Sequence, residues 1–143
     1  FFDANKPQAS YLISNPPYLP ALDNKLLQPL LHGGLEGITI TQQLLTLNYE
    51  NVLVMVSSYS NPVGLINYAI AQGYSVSDFI VSPLKFGYYS SEQKVRNRIQ
   101  ELRKDNRAFC SQNIYLLAGV LFTKKHTCQV DLSTEFAQLM TCL

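Results

Sequence analysis

The chain has 143 residues, of which 47% are hydrophobic, and a formal net charge of +1. That is enough for one buried core, and the near-balanced charge excludes a protein that holds polyanions through bulk charge alone. Three isolated cysteines and two histidines, with no Cys-x-x-Cys pair, exclude a conventional zinc site, so no metal is expected.

No apolar run approaches the roughly 18 residues that a membrane-spanning helix needs. The odd cysteine count without a signal-peptide pattern points to a reducing, cytoplasmic setting. After a short polar opening, Tyr11, Leu12 and Ile13 read as a buried parallel strand. The strand must stop at Asn15-Pro16-Pro17-Tyr18, because neither proline can donate to a sheet ladder. Each proline also holds the residue before it in an extended conformation. An amide and an aromatic ring are thereby fixed on a stiff loop at the carboxyl end of a strand, where open α/β sheets bind ligands.

Residues 19 to 34 read as a long loop over that site, with a helical turn around Leu26, Leu27, Leu30 and Leu31. His32, alone beside Gly33 and Gly34, reads as structural. Residues 35 to 49 carry a helical pattern on Ile38, Thr41, Leu44 and Leu45. The β-branched run Val52 to Val56 predicts a central strand, with Ser57, Ser58 and Tyr59 at its carboxyl end. Asn61-Pro62 predicts a capped helix start, and Gly73 its stop. Val76 to Val81 is the next expected strand. Ser90 with Gln93 suggests a capping box that opens a helix with a narrow apolar stripe of Val95, Ile99 and Leu102. Ile114 to Phe122 is the last expected strand, with Gly119 as a bulge, and a short helix is expected around Phe136, Leu139 and Met140.

The chemistry available at the first strand end is specific. The Asn15 side-chain oxygen and the Pro16 carbonyl can accept both hydrogens of a planar amino group, and Tyr18 can stack on the π-system that carries it. Such positioning suits methyl transfer to a weakly nucleophilic nitrogen, where orientation supplies much of the rate. Asn15, Pro16 and Tyr18 are therefore the candidate catalytic residues, with Pro17 lining the substrate. Lys94, Arg96, Arg98, Arg103, Lys104 and Arg107 form a basic helical segment within residues 85 to 113. Topology places it on the same rim, where Arg96 and Arg98 are candidate phosphate contacts and Phe86, Tyr88 and Tyr89 candidate base platforms. A solvated helix face without function is the competing reading.

Asn15-Pro16-Pro17-Tyr18 resembles motif IV of class I S-adenosylmethionine-dependent methyltransferases that modify amino groups. These include adenine and cytosine amino-methyltransferases and the HemK-like glutamine methyltransferases of release factors. Leu31 to Gly37 is similar to the Gly-Gly-x-Asp-Gly segment that follows the motif in the HemK-like branch, with Glu36 in place of Asp. The resemblance runs from about Ala9 to Lys124. It implies an α/β fold, the carboxyl-terminal half of a Rossmann-like methyltransferase sheet with parallel strands and a final antiparallel one. It also implies S-adenosylmethionine as cofactor, Gly33 and Gly34 at the substrate, and Asp3 near the cofactor's adenine.

No Gly-x-Gly turn occurs in the sequence, so the cofactor-binding half is expected to be missing from this chain. Residues 1 to 143 are expected to form one partial methyltransferase domain, inactive alone. The other half would come from a longer parent chain or from a second chain. A permuted order would need more sequence after the last strand. The expected activity is N-methylation of a nucleic-acid base or a protein glutamine, with nucleic acid or a release factor as partner. The alternative is a non-catalytic half-domain that acts as a partner subunit or nucleic-acid-binding module.

Overall fold

The computed structural model describes residues 8–143. The Asp3 assignment lies outside the described residues. Four strands, β1 (Tyr11–Ser14), β2 (Asn51–Ser57), β3 (Tyr74–Lys85) and β4 (Ile114–Lys124), form a mixed sheet in the order β1-β2-β4-β3. β1 pairs parallel with β2, with Leu12 opposite Val52. β4 pairs antiparallel with both β2 and β3. The first three strands therefore run the same way, and the last runs against them. It does not add at the edge of a parallel sheet, however: it lies between β2 and β3, so those two are not neighbours.

Three α-helices join the strands, α1 (Thr39–Thr46), α2 (Pro62–Ala71) and α3 (Gln93–Lys104), and α4 (Ser133–Met140) follows β4. α1, α2 and α4 cover one face of the sheet. Leu44 and Leu45, Leu65 and Ile66, and Phe136 and Met140 close over Val52, Val54, Val56, Val76, Val120 and Phe122. Burying side chains of this size contributes about 1.5–3 kcal/mol each before the entropy of ordering is subtracted. A second, smaller cluster lies at the carboxyl rim of the other face, where Val95, Ile99 and Leu102 of α3 meet Leu19, Tyr59 and Tyr115. The stripe read from the sequence is thus the packing face of α3.

Several boundaries differ from the sequence reading, each for a local reason. α1 begins only at Thr39, because Gly34 (φ 92°) and Gly37 (φ 80°) sit in left-handed conformations that no helix admits. β3 runs on through Pro83 to Lys85, which an edge strand tolerates because the missing N–H can face outward. The bulge falls at Ser77, between Val76 and Asp78, while Gly119 pairs regularly with Met55 and Ile80. Ser90 does not cap α3. Its hydroxyl accepts from the Gly87 amide at 2.8 Å, and the helix starts three residues later, after Glu92. β1 is an edge strand, so only Leu12 of its apolar run is buried, and Leu139 of α4 faces outward. Asn61 caps α2 as expected: it takes a left-handed backbone and accepts from the Gly64 amide at 3.0 Å.

Candidate functional site

The carboxyl ends of β1, β2 and β3 and the start of β4 meet on one rim. Asn15 leaves β1 there, exposed, and Pro16 behind it is buried. Neither the Asn15 side chain nor the Pro16 carbonyl makes a hydrogen bond among the described residues. Two acceptors next to each other in sequence are therefore unclaimed by the described residues.

The backbone that follows is held on all sides. The Ser60 hydroxyl donates to the Tyr18 carbonyl at 2.6 Å. The Leu19 amide donates to the Leu31 carbonyl at 3.1 Å, and the Gly33 amide returns to the Leu19 carbonyl at 2.9 Å. His32 Nε2 lies 3.0 Å from the Ala21 carbonyl, a structural tie. Gly33 and Gly37 permit this close approach. A Cβ on Gly33 would sit 2.7 Å from the Pro17 carbonyl oxygen, and one on Gly37 would sit 2.5 Å from that of Tyr18. Glu36 accepts from the Asn61 side chain at 2.8 Å and pairs with Arg107, joining the corner to α2 and to the segment after α3. The Gly33-Gly34 pair thus sits behind the Pro17-Tyr18 backbone as a support. It lines neither of the two cavities beside Asn15.

The first of these cavities holds about 330 Å³. Its floor and walls are Asn15 to Leu19, Tyr59 and Tyr115, and its mouth is the stretch from Lys85 to Ser90 with Tyr88 and Tyr89. Tyr59 is the centre of an aromatic cluster. Its ring lies 4.7 Å from that of Tyr115, 6.2 Å from that of Tyr18 and 5.7 Å from that of Phe86, the last nearly parallel. The second cavity, of about 480 Å³, is an apolar trough along β1 between Tyr11, Ile13, Ile40 and Leu44. Both cavities share Asn15, Pro16 and Pro17 as their common wall.

The phenols at this site are neutral at ordinary pH. Burial raises Tyr18, partly offset by its hydrogen bond with Tyr115. Burial pushes Tyr115 up to about 12 and Tyr59 well above its usual value. They can donate hydrogen bonds and stack, but none is a base near neutrality. Among the described residues, Lys85 is the one charged side chain in the lining of the aromatic cavity. Among the described residues no three His, Cys, Asp or Glu side chains gather in one place. The arrangement can bind and orient a flat group, and no carboxylate or histidine among the described residues lines it.

The structure brings Asn15, Pro16, Pro17 and Tyr18 together at one cavity. It does not bring Arg96 and Arg98 there. The Arg96 guanidinium lies 3.6 Å over the Phe86 ring and donates to the Gln112 carbonyl at 2.8 Å. Arg98 donates to the Leu35 carbonyl and to Glu101, and its side chain is only 17% exposed. Lys94 pairs with Asp23 at 3.3 Å. These cations brace α3 against the loops beneath it. No sequence pattern marks Tyr59 or Tyr115 as a site residue, although both stand at strand ends that topology assigns to this rim.

No family model matches this sequence, and comparison with curated proteins and with solved structures likewise gives no match.

Proposed function

We propose that this rim is the acceptor side of an S-adenosylmethionine-dependent N-methyltransferase that modifies an amino or amide nitrogen. One observation carries the reading: among the described residues the Asn15 amide oxygen and the Pro16 carbonyl make no hydrogen bond, on a corner braced through the Tyr18 carbonyl and the Leu19 backbone, beside a cavity walled with aromatic rings. Each acceptor takes one hydrogen of the incoming NH₂ group. The nitrogen is then held in a fixed plane with its lone pair directed out of it, and the Tyr18 ring supports the group carrying it. Transfer of a methyl group leaves a cationic nitrogen that loses its proton to water, so a site without a general base suffices. The run of three same-direction strands closed by an antiparallel one supports the same reading, since it matches what the motif's resemblance implies.

The described residues do not by themselves fit the cofactor. None of their glycines forms a Gly-x-Gly turn, and among the described residues no carboxylate that could hold a ribose lines the trough beside β1. In this proposal the cofactor sits on a unit that meets the open edge of β1, either the missing amino-terminal half or a second chain. The role of this chain's own residues is confined to the acceptor nitrogen. The alternative, a non-catalytic half-domain that serves as a partner subunit, draws on this same lack of a cofactor turn.

The test is transfer of labelled methyl by the parent chain or complex that contains these residues. Asn15→Ala should lower transfer at least about 100-fold, the usual cost of losing orientation. Because Asn15 is exposed and makes no hydrogen bond, stability should stay within about 0.5 kcal/mol. Full transfer by the variant would leave the partner-subunit reading in its place.

A further inference from the structure

We infer that the group admitted to the aromatic cavity is a single unstacked nucleobase, gripped by ring stacking and not by the basic helix. This rests on the acceptor-site reading above and names its substrate class. Three observations carry it.

The first is the mouth of the cavity. Tyr88 is 75% exposed and Tyr89 41%, with their rings 5.2 Å apart edge to face. Large rings held in water at a cavity entrance gain little for the fold. They are the usual platforms for bases, every one of which has a π-face. The second is size and lining. At about 330 Å³ the cavity lies near the lower end of the ~300–1,000 Å³ range of small-molecule sites, room for one flat ring system. Tyr18, Tyr59 and Tyr115 line it together with Asn15, and neutral phenols serve a base edge as donors. A glutamine side chain offers only a small planar amide on a flexible stem, far less face than these rings can cover.

The third is charge. Of the α3 cations, Lys94, Arg96 and Arg98 are engaged inside the chain, as is Arg107 beyond the helix. Among the described residues, Lys85 is the cation that lines the cavity. A long phosphate track is therefore not built here, and the predicted affinity responds weakly to salt. One phosphate contact on a single strand implies about a threefold loss between about 50 and about 200 mM salt, whereas six would imply about 300-fold.

The experiment is a titration of the full chain with fluorescein-labelled hexamers of single-stranded RNA and of single-stranded DNA, with the RNA duplex and a labelled glutamine-containing hexapeptide alongside, read by anisotropy. The expected result is binding of single strands over duplex and peptide, with about a threefold salt response. The RNA and DNA arms then show which sugar is accepted. Tyr88→Ala and Tyr89→Ala should each weaken binding about 5- to 150-fold, the usual range for a lost base stack, while Tyr88→Phe restores it. Lys104→Gln should change it less than about twofold. Circular dichroism of each variant reports the fold.

Preference for the peptide or the duplex, binding of none of the probes, a salt response near 300-fold, or binding indifferent to both tyrosine variants overturns the inference. The assay needs no methyl donor. It can therefore fail while Asn15→Ala still abolishes transfer, and it can succeed while Asn15→Ala leaves transfer intact, so the two readings fall separately.

Discussion

Two regions on the same side of the sheet are built in opposite ways. At the carboxyl rim, Tyr18 and Glu36 are tied to Ser60 and Asn61 after β2 and to Arg107 before β4, while the Asn15 side chain and the Pro16 carbonyl make no hydrogen bond among the described residues. A few residues back along the strands, the same face is left bare. Ile13, Leu53 and Leu121 stand in one row across β1, β2 and β4, and Met55, Gly119 and Ile80 in the next. Ile13 is 73% exposed and Ile80 76%. Unpaired polar groups on a rigid frame point to directed hydrogen bonding. Unpaired apolar groups on a flat sheet point to a surface that another unit covers. In the proposed reading, chemistry and association are thus separated along a single face.

The largest effect should come from loosening the rim. Gly37→Ala puts a methyl group 2.5 Å from the Tyr18 carbonyl oxygen and 2.7 Å from the Ser60 hydroxyl, at a φ of +80°. The added strain and clash should cost about 2–4 kcal/mol in urea unfolding. Because the clash falls on Tyr18 and on the hydroxyl that holds it, binding at the aromatic cavity should be lost even where the chain is still folded. An Ala variant as stable as the original would mean that the corner is not braced as described.

A smaller, pH-dependent effect should separate the rim from the main core. Tyr115 at the rim and Tyr74 in the core are both pushed up to about 12 by burial. Tyr18 and Tyr59 are raised as well. Their folded values lie above the unfolded value near 10, so the folded state keeps these protons longer. The stability they contribute is fully present below about pH 10 and is lost as pH rises from about 10 towards 12. Unfolding midpoints measured across that window should fall steeply. Tyr115→Phe should soften the fall and shift the phenolate absorbance titration at the rim, whereas Tyr74→Phe should soften it without changing binding at the cavity.

The corner was legible in sequence because proline leaves so few choices. Pro16 and Pro17 end a strand wherever they occur after one, so the position and stiffness of Asn15 followed from local rules. The cap at Asn61 and the stop at Gly73 were legible for the same reason. The depth of burial was not. Tyr11 and Ile13 look like core until the strand order makes β1 an edge, and strand order is a tertiary choice that a run of apolar residues does not encode. The basic helix misled in a related way. A row of Lys and Arg reads as free charge, but the structure spends four of these cations on Asp23, Phe86, Leu35, Glu101 and Glu36, partners that are up to 71 residues away in the chain. Tyr59 was legible only as one of three residues at a strand end on this rim, and Tyr115 not at all, because a lone tyrosine carries no spacing signal. Only the convergence of strand ends puts the two rings 4.7 Å apart.

The smallest expected effect tests the bare half of the face. Ile80 points away from the helices, beside Gly119, and is mostly in water. Ile80→Lys therefore removes little buried surface and should change the stability of the dilute chain by no more than about 0.5 kcal/mol. It should also raise solubility, because a lysine on an exposed apolar sheet discourages chains from stacking. A loss of about 2 kcal/mol or more that grows with protein concentration would mean that copies of the chain already cover this face. Unchanged stability of the chain, with weakened assembly of the parent that performs transfer, would place the covering unit on Ile13 and Ile80. The rim would then supply the acceptor site, and the flat face behind it the seat for whatever brings the methyl donor.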